Sequence, residues 1–449
     1  MTHLIRMYNK MSSSKSGLSV WQVVIIGIAY MTPMTVFDTF GIVSGVTEGR
    51  VPMAYLLALV AVLLTALSYG RLVKLYPDAG SAYSYAKNTC GNQVGMLVGW
   101  ASLLDYILLP MINSLLSGIY LRSLFPQIPP WTFIFAFTLL VTFINCRNIK
   151  LLANLNFILV GLPVFLMGVF IYLVIHGVSH KLGYSHVWTL APLFNGNTHI
   201  LPLISGAAIL CFSFLGFDAV TTLSGETRNA KVAIPKAIFI TALSGGFIFF
   251  VVAWFTQLYF PDNSHFKNPT EAMPEIILYV GGYFFQSVFL VAILVNTFAS
   301  ALASHASAAR LLNIMGRDRI FPKRFFGYKS PETHSPLYCI LFVGGISMTA
   351  VFFNLDTAVS LISFGALVAF SSVNISVLIQ FSIVKKQVNS PREIIDNIIM
   401  PVMGLLSVGV MWFNLDKDAM VFGLAWAALG LAYLIYCKLT NKVVILSDN

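Results

Sequence analysis

The chain has 449 residues, of which 57% are hydrophobic and only 10% charged, with a mean hydropathy of +0.81. So few charges cannot cover the surface of a water-soluble domain of this length, which excludes a soluble globular protein and indicates an integral membrane one. The formal net charge of +10 is spread over short polar loops. That distribution points to anionic lipid headgroups rather than to a nucleic-acid partner.

A helix needs about 20 apolar residues to cross a hydrocarbon core of about 30 Å. Windows of that kind fall at 21–46, 52–73, 91–122, 131–146, 152–178, 200–224, 235–260, 275–312, 336–353, 356–384, 394–414 and 418–440. Twelve transmembrane helices are therefore expected, in an all-α integral membrane protein. Long continuous runs such as FILVGLPVFLMGVFIYLVI exclude the short alternating strands of a membrane β-barrel. With the N-terminus inside, cytoplasmic segments carry every Lys and Arg except Arg50, Arg122, Lys181, Lys267 and Lys417, so both termini are expected to be cytoplasmic. The first apolar run is too long for a signal peptide and lacks a small-residue cleavage site, so it reads as an uncleaved span. The five cysteines show no CxxC or zinc spacing, and His180, His186 and His199 are irregularly placed. Neither a structural disulfide nor a metal or other cofactor is expected.

Two spans are interrupted. The first contains GIAYMTPMTVFDTFG, where Pro33 removes a backbone donor and disfavours helix at Thr32. The sixth contains CFSFLGFDAV, with Gly216 among aromatics, and both interruptions are followed by Phe-Asp, as Phe37-Asp38 and Phe217-Asp218. Pro33 and Gly216 read either as tolerated kinks or as paired breaks. Breaks at matching places in two groups of five helices are the mark of an inverted-repeat transporter with a midplane substrate site.

Acids lie on the spans at Asp38, Asp105 and Asp218, with Glu226 near a span end, and no Lys or Arg stands at comparable depth. A carboxylate at the centre of a membrane helix costs about 2.5–3.5 kcal/mol on insertion scales, so a proton or a bound cation is expected to neutralise these groups. Half-helices ending at the breaks direct carbonyl oxygens toward such a cation, and aromatic faces attract organic cations. Phe212, Phe214, Phe217, Trp100 and Tyr106 occupy these levels. Most such rings pack in cores, and Tyr106 and Phe212 are the two retained as site candidates. Asp218, directly after the break, is the first candidate for substrate binding, and its carboxyl also suits a cap on the restarting half-helix. Asp105 also reads as a protonated acid bonded to a neighbouring span. Asp38, about one turn beyond Pro33, reads equally as an outer gate. Glu226 and His305 are candidates for gating or proton coupling, although Glu226 also suits a pairing with Arg228 or Lys231, and His305 a neutral bond across helices. A membrane enzyme would need a nucleophile or metal constellation, and Ser304-His305 lacks a third group.

The stretches YMTPMTVFDTFGIVSG, PDAGSAYSYA, VGWASLLDY with LPMIN, CFSFLGFDAVTTLSGET, PEIILYVGG, LASHASAARLLNIMGRDRIFP and SFGALVAF resemble the amino acid/polyamine/organocation superfamily, and within it the bacterial putrescine importers. The resemblance covers nearly the whole chain. It implies a LeuT-like fold, with a ten-helix inverted-repeat core over 21–384, broken helices 1 and 6, and two further helices over 385–440. Residues 1–20 and 441–449 are then cytoplasmic tails. It also implies proton-coupled import of putrescine across the bacterial inner membrane. Asp218 and a second acid, Asp105 or Asp38, would hold the two ammonium groups, with Phe212 closing over the substrate and Tyr106 lining it. Thr32 and Phe217, at the breaks, complete the expected site. Two departures bear on this expectation. MTPMT stands where amino acid carriers of the superfamily have a Gly-Ser-Gly-like stretch for the substrate carboxylate, and SGET holds one acid where two adjacent acids are common. An amino acid carrier or a diamine/amino acid exchanger is the alternative.

Overall fold

The computed structural model describes residues 17–77, 80–147, 152–194, 199–332 and 335–440, with side chains except at 152–159, 181, 182, 225, 226 and 270. Most of the expected N-terminal tail and all of the C-terminal one lie outside the described residues. The described chain is almost entirely helical. Its main helices are α1 (Val20–Met31), α2 (Thr35–Val46), α3 (Val51–Leu75), α4 (Ala82–Cys90), α5 (Asn92–Leu124), α6 (Pro130–Cys146) and α7 (Leu152–Leu182). They continue as α8 (Ile200–Leu210), α9 (Ala230–Tyr259), α10 (Met273–Arg317), α11 (Leu337–Met348), α12 (Leu355–Val377), α13 (Met400–Phe413) and α14 (Lys417–Leu439).

Among the described residues, nine helices are long and apolar enough to cross a membrane, and α1 with α2 forms a tenth such unit bent by 47°. Two apolar helices, Pro130–Cys146 and Leu337–Phe352, are shorter. Helix ends differ from the sequence windows where polar residues still satisfy the backbone. α9 starts at Ala230, so Pro235 lies inside it, and α10 runs on to Arg317, well past its apolar window, with non-helical backbone at Gly282. In lipid every backbone N–H and C=O must be bonded within the protein, which keeps the apolar windows themselves helical.

α5 is the axis of the packing. It is buried along most of its length and packs against α10 and α12, while α3 packs against α9. Glycine sets the closest approach of α12, since a Cβ at Gly365 would lie 2.8 Å from the backbone nitrogen of Asp105. The last helix is fastened to the same axis by Trp100 and Trp426. Their indoles stack at 5.0 Å, and each indole N–H donates to the other residue's carbonyl at 2.9 Å. Trp100, counted in the sequence among the aromatics at the level of the breaks, is occupied by this packing.

The first interruption is local in origin. α1 opens on a capping box, in which Ser19 and Gln22 bond each other's backbone. It ends at Thr32, a non-glycine residue held at φ 47°, because Pro33 cannot donate the next hydrogen bond and excludes helix at the residue before it. The Thr35 hydroxyl donates to the freed carbonyl of Thr32 at 2.7 Å, and α2 starts there. In the sixth window α8 tightens to a 3-10 turn over Cys211–Phe214, turns at Gly216 (φ +105°), and restarts as a 3-10 segment over Ala219–Glu226. The sequence suggested two ordinary half-helices, and the tighter winding on both sides of Gly216 is a finding of the structure.

The two interruptions meet. A Cβ at Gly216 would stand 2.0 Å from the Tyr30 ring, so glycine is required there by backbone angle and by space at once. Beyond the breaks, Leu18 pairs with Thr227 in a parallel bridge, and the Arg228 N–H donates to the Leu18 carbonyl at 3.1 Å. Gly216→Ala is expected to cost about 1–3 kcal/mol, whereas a Cβ at Gly409 meets nothing within 4 Å. Thermal unfolding in detergent should therefore separate the two alanine variants by several degrees. Equal midpoints would contradict the account of the break.

Candidate functional site

A cavity of about 10 Å³ lies at the first break, room for about one water. Tyr30, Thr32, Thr35 and Asp38 of the interrupted span line one side. Asn113 of α5, Phe212 of the second break, and Asn296 and Thr297 of α10 line the rest, among apolar side chains. No Lys or Arg is among the lining residues. Asp38 stands in the first turn of α2, is 6% exposed, and accepts a hydrogen bond from the Tyr120 hydroxyl of α5.

Asp218 and Asp105 form a second acidic centre beside the cavity, each about 95% buried. Asp218 Oδ2 accepts from the hydroxyls of Tyr69, at 3.4 Å, and Tyr106, at 3.5 Å. The backbone amides of Gly216 and Ala219 face the same carboxylate. Asp105, on α5, is close enough to Asp218 for the two charges to repel. Tyr30 connects the two centres, since it lines the cavity and also lies within electrostatic reach of Asp105 and Asp218. Among the described residues, none of the three acids takes part in an ion pair.

Of the residues singled out in the sequence, Thr32, Asp38 and Phe212 meet at the cavity, and Asp105, Tyr106 and Asp218 meet in the adjoining cluster. Phe217 is not among the cavity-lining residues and meets the cluster only through Tyr69. Its ring packs edge-on against Tyr69 at 5.8 Å and at a tilt against Phe370 at 5.4 Å. His305 is buried on α10 with Nε2 2.8 Å from the Ile340 carbonyl, the cross-helix bond that the sequence offered as its alternative. The side chain of Glu226 lies outside the described residues.

Tyr30, Tyr69, Asn113, Tyr120 and Asn296 were not singled out. Each is a polar residue inside an apolar window, the one signal that could have marked them. A tyrosine amid such a window is also an ordinary core residue, and only its partner across the fold distinguishes the cases.

At the end of the bundle that carries α4, Asp318 follows the last turn of α10. It accepts from the Lys87 Nζ at 2.7 Å and from the Tyr83 hydroxyl at 2.5 Å. Burial, and then the Asp318 carboxylate, hold the Tyr83 hydroxyl well above its ordinary range, so it remains a donor. This cluster closes α4 against α10.

Comparison with known proteins gives this geometry its setting. The family model for the amino acid permeases matches residues 22–413. The chain belongs to the amino acid permease family. This permease is 48% identical over 434 residues to the low-affinity putrescine importer PlaP of Escherichia coli (strain K12), an alignment spanning 97% of the chain and 96% of that protein. It is 46% identical to a probable low-affinity putrescine importer PlaP of Klebsiella pneumoniae over 39% of the chain and 90% of that protein. The branched-chain amino acid permease BcaP of Bacillus subtilis (strain 168) is 23% identical over 96% of the chain and 95% of its own length. Among solved structures, MhsT in complex with L-phenylalanine matches at TM-score 0.61 and 15% identity, covering 88% of the permease and 98% of that chain. A Na+-coupled sialic acid symporter matches at 0.55 and 16% identity, covering 88% and 89%. These likenesses establish the shared LeuT-type fold, and the apolar helices with family membership make the permease a multi-pass membrane protein.

Tyr120→Phe leaves the buried Asp38 carboxylate without its hydroxyl donor, at a cost of about 1–3 kcal/mol. Its unfolding temperature should fall measurably below that of Tyr172→Phe, since Tyr172 is 65% exposed. An unchanged midpoint would mean that the Tyr120 contact contributes nothing to the fold.

Proposed function

We propose that the chain is a secondary transporter that imports putrescine, a small aliphatic diamine, across the bacterial inner membrane together with protons. The observation that carries this reading is the 48% identity, over nearly the full length of both chains, to a protein named as a putrescine importer. Three buried acids, Asp38 and Asp218 at two adjoining helix breaks and Asp105 on α5 facing them, have no basic partner among the described residues and support it, because they offer a dication what those residues do not supply.

On this reading, twelve helices cross the membrane with both termini cytoplasmic. The first ten form two inverted repeats over residues 21–384, and two further helices follow over 385–440. Asp218 and a second acid, Asp105 or Asp38, hold the two ammonium groups. Phe212 and Tyr106 flank the methylene chain, and Thr32 and Phe217 complete the substrate site at the first and second breaks. A cavity fit for about one water cannot admit six heavy atoms, so the broken helices must part from α5 and α10 to bind substrate. The Lys87–Asp318–Tyr83 cluster faces the cytoplasm on this orientation, and breaking it accompanies opening on that side. A proton shared by Asp105 and Asp218 relieves their repulsion when no diamine is bound, and Glu226 and His305 are further groups for gating or proton coupling.

An amino acid carrier or diamine/amino acid exchanger is the second reading, favoured by the breadth of the family model. Counterflow into proteoliposomes with putrescine and a panel of amino acids decides between the two. Putrescine is expected to exchange, and an imposed inward proton gradient is expected to drive its net uptake. Uptake driven by internal ornithine and indifferent to the gradient would favour the exchanger. Asp218→Asn should abolish putrescine uptake while leaving the protein folded in the membrane, and near-normal transport by that variant would remove Asp218 from the site.

A further inference from the structure

We propose that Asn296 is a direct substrate contact whose side-chain carbonyl receives one ammonium of the diamine. It is thereby the residue that distinguishes a diamine from a monoamine. The inference rests on the reading above and deepens it.

Asn296 is 0% exposed, and neither its Oδ1 nor its Nδ2 has a hydrogen-bond partner among the described residues. Buried amides are ordinarily satisfied, because an unmet donor or acceptor in low dielectric is destabilising. Other buried asparagines have at least one polar atom met, and even Asn397, whose Oδ1 lacks a partner, donates from Nδ2 to the Gln387 carbonyl at 2.8 Å. Asn374, also 0% exposed, donates to Thr65 at 3.1 Å and to the Phe370 carbonyl at 2.9 Å, and accepts from Ser68 at 2.6 Å. Asn113, across the cavity, is anchored by its Nδ2 to Ser300 and Ser304.

Its position gives the exception meaning. Asn296 lies one turn before Ser300 on α10, whose hydroxyl donates to the Tyr30 carbonyl at the end of α1. The same face of the helix is thus fixed against the first break, and Asn296 lines the cavity with Asp38, Thr32 and Phe212. Among the described residues, the cavity wall carries one carboxylate and no cation. An alkylammonium brings only donors, which Asn296 Oδ1 can accept, and Nδ2 then donates to water entering with the opened site. Beside Asp38, which lines the same cavity, the amide adds a neutral acceptor for the ammonium held there without adding a further charge, which suits release after transport.

The test compares Asn296→Leu, close to asparagine in shape, with wild type. It measures inhibition of putrescine uptake by unlabelled putrescine and by butylamine, together with thermal unfolding in detergent. Wild type is expected to favour putrescine. In Asn296→Leu, putrescine affinity should fall by about tenfold with butylamine nearly unaffected, so that the preference collapses, while the unfolding midpoint stays level or rises. Unchanged putrescine affinity overturns the proposal. An equal loss for both amines, or a clearly lowered midpoint, assigns Asn296 a structural role and overturns it as well. Should Asn296→Leu fail to insert, Asn296→Ala is read by the same diamine-to-monoamine ratio. If wild type itself neither transports nor binds putrescine, the functional reading fails instead, which the wild-type arm records separately.

Discussion

The structure depends on one constraint, that backbone polar groups have no water to turn to inside a bilayer. Every span is helical for that reason, and an interruption is tolerable only where something else meets the freed groups. Here the two interruptions are placed against each other, with Gly216 stripped of a side chain so that the Tyr30 ring can lie on it. The same contact brings the carbonyl end of α1, the amides after Gly216 and the acids of both spans into one region. Cavity, acidic pair and tyrosine hydroxyls all follow from letting two helices break side by side.

The acids are arranged in two centres. Asp38 with Tyr120 stands at the cavity, and Asp218 with Tyr69, Tyr106 and the neighbouring Asp105 stands beside it, with Tyr30 reaching both. Asp38 and Asp218 accept from tyrosine hydroxyls, which hold a carboxylate in place without neutralising it. Arginine or lysine at those positions would form buried ion pairs and leave no demand for an external cation.

Much of this was legible in the sequence, because the signals are local. Pro33 fixes the first break through its missing N–H, Gly216 among aromatics marks the second, and acids without nearby bases stand out in apolar windows. The 3-10 winding around Gly216 was not legible, since no residue pattern separates it from a helix. Nor were Tyr69, Tyr120 and Asn296, whose meaning lies in a partner found, or lacking, on a span far away in the chain. Phe217 illustrates the converse. Adjacent to Asp218 in sequence, it lies outside the cavity lining and packs on Tyr69 and Phe370, so that neighbours along the chain need not share a cavity.

The bridge between Leu18 and Thr227, with the bond from Arg228 to Leu18, ties together the ends of the two broken spans on the far side of their breaks. Two segments laced at one end and in ring contact at Tyr30 and Gly216 have little freedom to hinge separately. They form a single lever, and a force on either would be felt by both. On the proposed function, a cation held at Asp218 would therefore act on the segment that carries Thr32, through the backbone bridge at one end and the Tyr30 ring at the other.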